Sequence, residues 1–152
     1  MELVDCITVH RDPPRVLDTL RYFLQDPEHY RLWHPDHLNC QWIKGDPFKV
    51  GSLLRVEEML HGRRHRLVFK LHRVEEHRRV CFRMLFPVSL ICRGGEFAAE
   101  PVGHATRFTA RLVFRFGSLP QRLFAGKMKA IHLHMRQEGE SLKAFAEADS
   151  QF

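Results

Sequence analysis

His134 and Glu138 stand four residues apart in the segment AIHLHMRQEGESLKAF (130–145). At about 100° per residue, Phe124, Ile131, Met135, Leu142 and Phe145 fall on one side of a helix, with Glu138 near the middle of that arc and His134 at its margin. Side chains at i and i+4 have Cβ atoms roughly 5–6 Å apart and point the same way. Burying an unpaired carboxylate on such a face costs several kcal/mol or shifts its pKa, so Glu138 calls for a partner. Two arrangements answer: a His–Glu hydrogen bond, or a shared metal ion held as the paired histidines of an HExxH helix hold theirs. His132 lies about 100° off the face and takes no part.

Further donors come from two other places. The segment WHPDH (33–37) carries His34 and His37 in a loop that prolines and aspartates restrict, which suits a ligand carrier. In SLLRVEEML (52–60), Glu58 shares the phase of Leu54 and Val56 and points to the apolar side, whereas Glu57 alternates outward. Two facing carboxylates, Glu58 and Glu138, repel unless a cation lies between them. Two carboxylates with one or two histidines suit Zn2+, and Mn2+ or Fe2+ less well. His34 and His37 stay open as alternatives, as do Glu57 and Glu58, although phase favours Glu58 and the Asp-His pair favours His37.

These residues need elements to position them. Residues 2–10 alternate as a first strand and stop at an Arg-Asp-Pro-Pro break. From Pro14, the residues Val16, Leu17, Leu20, Phe23 and Leu24 recur at helical spacing behind Asp12 as N-cap. PEHYRLW (27–33) predicts a second short helix that ends before Pro35. The period then changes to two, predicting strands at 40–43, 52–60, 65–71, 80–86, 89–99 and 106–116, with a turn at His61-Gly62 and a bulge at Gly94-Gly95. One long helix is expected from about Leu119 to Ala148.

Consecutive strands and few helices predict the α+β class: a single domain over 1–152, with an antiparallel curved sheet of about seven strands gripped by the long C-terminal helix. Leu54, Val56, Leu67, Phe69, Phe82, Met84, Phe108, Leu112 and Phe114 of the sheet, with Met135 of the helix, would line a pocket for a small hydrophobic or aromatic molecule.

The 152 residues carry a net charge of +6, mostly from arginines in HGRRHR (61–66) and EEHRRV (75–80), where solvated turns are expected. Arg107, Arg111 and Arg115 lack interleaved exposed aromatics, so no nucleic-acid partner is expected. No run approaches the roughly 18 apolar residues of a membrane span, and the first residues lack a signal peptide's pattern, which predicts a cytoplasmic protein without stable membrane insertion. The four cysteines form no CxxC pair; Cys6, Cys81 and Cys92 are expected as buried, reduced thiols. Exposed sheet edges leave room for a homodimer.

The order of elements resembles the START/Bet v 1-like superfamily, also called SRPBCC or polyketide-cyclase-like. More closely, YRLWHPDHLN, GSLLRVEEML and HMRQEGESLK resemble the metal-binding segments of its diacetylphloroglucinol/phloretin hydrolase branch. That resemblance implies a zinc site of His37, Glu58, His134 and Glu138. It also implies a metal-dependent hydrolase that cleaves the carbon–carbon bond between an acyl group and a phenolic ring. There the metal would polarise the ketone oxygen, Glu58 could act as base, and Tyr30, His65 or a water would return a proton to the ring. Tyr30, His65 and His104 are the candidate counterparts of the branch's substrate-binding tyrosines and histidines, and the chain is much shorter than the characterised hydrolases. Two other readings stand beside it: a START-like carrier of a lipid, steroid or aromatic polyketide, and a metal-free polyketide cyclase or aromatase.

Overall fold

A computed structural model describes residues 1–115 and 118–148, the side chains of 118–121 excepted. The chain runs through β1 (Glu2–Val9), α1 (Pro13–Phe23), α2 (Pro27–Trp33), β2 (His37–Lys44), β3 (Leu53–Leu60) and β4 (Arg63–Glu75). It continues through β5 (Arg79–Met84), a short 3-10 helix (Val88–Leu90), β6 (Cys92–Val102), β7 (Ala105–Phe114) and α3 (Ser118–Glu147). The strands form one antiparallel sheet in the order β1-β7-β6-β5-β4-β3-β2, so every neighbour in space but β1–β7 is also a neighbour in sequence. This is the helix-grip fold expected from the element order.

Local chemistry starts the short helices. The Asp12 carboxylate accepts from Arg15 N at 3.1 Å and the Asp26 carboxylate accepts from His29 N at 2.9 Å, each capping a helix whose first turn holds proline. Val16, Leu17, Leu20 and Phe23 bury the inner face of α1, and Tyr30 and Trp33 that of α2. Helix α3 is tied down at its C-terminal end. Arg11 Nη2 donates to Glu147 O at 2.5 Å and Arg15 Nε to Ala146 O at 3.1 Å, so two guanidinium groups take carbonyls that the helix cannot satisfy itself.

Several boundaries differ from expectation. β5, expected over 80–86, ends at Met84, and Phe86 beyond it is 78% exposed. The strand expected over 89–99 starts later, at Cys92, because residues 88–90 turn into the 3-10 helix. Gly94 and Gly95 do form a bulge, with the β6–β7 register shifting between Cys92 and Gly94. β7 ends at Phe114, and Phe116 lies outside the described residues. Cys6 is exposed rather than buried, since the alternation of β1 turns it outward with Glu2, Val4 and Thr8; Cys40, Cys81 and Cys92 are buried, and all four thiols are free. Among the described residues no helix is long and apolar enough to cross a membrane.

Candidate functional site

The concave face of the sheet and α3 enclose a cavity of about 350 Å3. All ten side chains expected to line it do so, from Leu54 on β3 to Met135 on α3. Into this apolar wall project Tyr30, Glu58, His134 and Glu138.

Three elements bring the polar groups together. Glu58 lies on β3 at the inward phase, paired in register with His37, the first residue of β2. His134 and Glu138 lie one turn apart on α3, and the indole of Trp33 on α2 donates to Glu138 O at 3.0 Å, fastening the helix over the cluster. His134 Nε2 stands 2.8 Å from Glu138 Oε1, 3.5 Å from Glu58 Oε2 and 3.3 Å from His37 Nε2; His37 Nε2 stands 4.0 Å from Glu138 Oε1. Four donor atoms around a tetrahedral zinc at 2.0–2.1 Å are separated by about 3.3 Å. The donors present therefore fit such an ion in chemistry, and the separations of Glu138, His37 and Glu58 from His134 bracket that spacing.

The groups behind them set their orientation. The ring of His37 has its Nδ1 3.1 Å from Tyr30 O, and donation to that carbonyl leaves the Nε2 lone pair facing the cluster. The same ring stacks on Tyr30, with centroids 3.9 Å apart. Tyr30 Oη donates to Glu58 Oε1 at 2.6 Å, which leaves Oε2 for the cluster.

Charge is tightly balanced here. Burial, then the charge of Glu138, raises the Glu58 carboxyl above its ordinary 4.5, against the pull of His134 and the Tyr30 hydrogen bond. Burial works against the charged form of His134, but the hydrogen bond and charge of Glu138 and the charge of Glu58 outweigh it and raise its pKa to about 9. Burial also opposes the Glu138 carboxylate, yet the His134 hydrogen bond and charge hold it low. His37 is pushed down to about 4, chiefly by burial, and is neutral. Burial and the Glu58 charge keep the Tyr30 phenol protonated. Without metal the cluster thus pairs an imidazolium with the Glu138 carboxylate, beside a Glu58 carboxyl raised to about 7.

The alternatives left open by the sequence take these positions. Both His34 and His37 reach the cluster, and with His134 they offer ring nitrogens within 4.8 Å of one another. His34 Nδ1 accepts from Asp36 N at 2.9 Å, so its Nε2 carries the hydrogen and donates to Gln137 Oε1 at 2.8 Å. With both nitrogens engaged, its ring packs against that of His134, centroids 4.1 Å apart. His37 was expected in a loop and instead opens β2. Glu57 points away from the cavity as expected, but it is buried beneath Arg64 and Arg66, whose hydrogen bonds, that of Arg64 first, lower its pKa.

His65 lines the cavity opposite Glu58 in the β3–β4 register, with Nε2 3.2 Å from Leu60 O. His104 is exposed after β6 and does not line the cavity, because it sits with Gly103 in the tight turn at the end of the β6–β7 hairpin. Sequence reasoning missed Trp33 and Gln137. Their signals were present: Trp33 follows Tyr30 by three residues on the same face of α2, and Gln137 follows His134 by three on α3.

Known proteins share this architecture. A protein of Thermus thermophilus superimposes with a TM-score of 0.76 at 15% identity, covering 99% of this chain and 100% of that one. The Zhui aromatase/cyclase of a Streptomyces species gives 0.74 at 12% identity, over 97% and 93% of the two chains. The major latex-like protein 151 of Panax ginseng gives 0.70 at 13%, over 97% and 98%. Identities this low establish a shared fold alone. No curated protein matches the chain. The family model described as polyketide cyclase/dehydrase and lipid transport matches residues 5–147, nearly the whole chain. The chain therefore belongs to the polyketide cyclase/dehydrase and lipid transport family.

Proposed function

We propose that this chain binds an oxygen-bearing aromatic compound of the polyketide class in its cavity and acts on it, as a cyclase or dehydrase does, through the cluster of His37, Glu58, His134 and Glu138 holding a zinc-type ion. The observation that carries the reading is the convergence of Glu58, His134 and Glu138 on the wall of a largely apolar cavity, with His37 directly behind them against His134. The family match supports cyclase chemistry or ligand binding more directly than the hydrolase expected from the sequence.

Bound there, a zinc ion would act as a Lewis acid on a carbonyl oxygen that took the place of Glu58 or added as a fifth ligand. The chain's own residues do the rest. Phe69, Phe82 and Phe108 supply ring faces and edges against which an aromatic ligand packs, and the wall excludes water. Glu58, its pKa raised by burial, can take a proton from carbon beside a carbonyl and return it to a leaving oxygen. Tyr30 orients that carboxylate and keeps its own proton. His65 lies across the strand pair from Glu58 and can steer a polar substituent.

A second reading, hydrolysis of the carbon–carbon bond of an acylated phenol, is favoured by one observation: the donor set pairs two carboxylates with two imidazoles, as the resemblance to the hydrolase branch implies. Elemental analysis of purified wild type beside His134→Ala and Glu138→Ala tests the ion. Stoichiometric zinc lost in both variants supports it, and a wild type that holds none after reconstitution removes it. Acylphenols incubated with the loaded protein then separate the two readings. Release of the free phenol, abolished by chelator, would put the hydrolase first.

A further inference from the structure

Among the described residues, three both line the cavity and are exposed: His61, Ile91 and Lys127. They mark where the cavity meets solvent, far from the cluster, since Lys127 precedes Glu138 by 11 residues, or about 16 Å of helix. Around this mouth the surface is unusually apolar. Phe86 is 78% exposed, Leu90 65%, Ile91 51% and, on the first turns of α3, Leu123 83%. Arg115 holds the two parts together, with its N donating to Ile91 O at 2.8 Å and its Nε to Ser89 O at 2.7 Å. Arg83, Arg93, Arg115, Arg122 and Lys127 are exposed in the segments that carry these side chains. Residues 77–95 and 101–137 contain no Asp or Glu at all. An apolar tip with a rim of one sign does not match the mixed-charge surface of an ordinary solvated face.

We propose that the mouth docks on an anionic lipid surface, with Phe86, Leu90 and Leu123 entering the headgroup boundary while the basic rim meets lipid phosphates. An apolar ligand could then pass between bilayer and cavity without crossing water. This rests on the reading that the cavity takes an apolar ligand, but docking itself needs neither ligand nor metal. Burial of apolar side chains and the attraction of Lys and Arg to anionic headgroups both favour binding, and the attraction falls with salt.

The test is co-sedimentation of the full chain with phosphatidylcholine vesicles, with and without phosphatidylglycerol. At low salt, wild type should bind the anionic vesicles at least about tenfold better than the neutral ones, and high salt should release it. Phe86→Asp/Leu90→Asp, at side chains that do not line the cavity, should abolish binding while leaving circular dichroism and metal content unchanged. Arg107→Glu makes the same change in net charge on the sheet's outer face and should keep it. Equal binding to both vesicles, or a double variant that binds as wild type does, overturns the proposal. So does a wild-type dimer in solution that the double variant abolishes without any vesicle binding. Retained aromatic-ligand binding alongside failed docking would leave the cavity reading standing.

Discussion

Within the cluster His134 is the pivot, because Glu138, His37 and Glu58 all place donor atoms within 3.5 Å of its Nε2. Without metal that nitrogen must carry a proton, since the facing His37 nitrogen and both carboxylates are acceptors. The raised pKa of about 9 expresses this. The sign follows: a histidine raised from 6.5 stabilises the fold fully below that pH and loses the contribution as pH rises through about 9. A metal ion must displace the same proton. Zinc binding near pH 7 is therefore expected to release about one proton from His134, plus a fraction from Glu58, whose carboxyl is also raised. Affinity should rise about tenfold per pH unit between 7 and 9. Calorimetry in buffers of different ionisation enthalpy counts the protons. Binding without release, or an affinity flat over that range, would mean that zinc does not sit on His134.

At the scale of elements, β3 shows how far the sequence could be read. Strict alternation put Glu58 inward with Leu54 and Val56 and Glu57 outward, and the fold agrees. What alternation could not show is that Glu57 is also buried, since that depends on Arg64 and Arg66 folding back across the β3–β4 hairpin. Likewise the α2–β2 junction placed two imidazoles in the right loop, yet only the rings' partners, Tyr30 O for His37 and Gln137 for His34, separate their roles. Boundaries failed where an apolar run conceals a turn: Pro87 begins one, and residues 88–90 leave the strand period unbroken in the sequence. The pair on β3 makes a direct test. Glu58→Gln should weaken zinc binding at least about 100-fold, whereas Glu57→Gln should leave it unchanged. In metal-free protein the order reverses: a carboxyl raised in the folded state opposes folding in its charged form near pH 7, so Glu58→Gln should raise stability by about 1 kcal/mol. Denaturant titration beside metal titration reads both, and equal effects of the two variants on zinc would refute the assignment of faces.

For the whole molecule, the same sheet that forms the core also leaves a cavity of about 350 Å3 inside it, so part of the apolar wall waits for a ligand's contacts. Whatever binds only the folded state adds stability by mass action. Zinc at about 100 times its Kd is worth about 2.7 kcal/mol, which for a chain of this length shifts Tm by about 5–10 °C. The shift should vanish in His134→Ala/Glu138→Ala, because His134 belongs both to the proposed cluster and to the His34, His37 and His134 group whose ring nitrogens lie within 4.8 Å of one another. An apolar anilinonaphthalene dye, which fills space without needing donors, should raise Tm in wild type and double variant alike. Thermal melts with each ligand alone and together then divide the molecule into its two working parts. Additive shifts place metal and aromatic ligand at separate seats in one cavity. A dye shift lost with the cluster would mean instead that the polar wall shapes the whole pocket, and that the apolar face alone holds nothing.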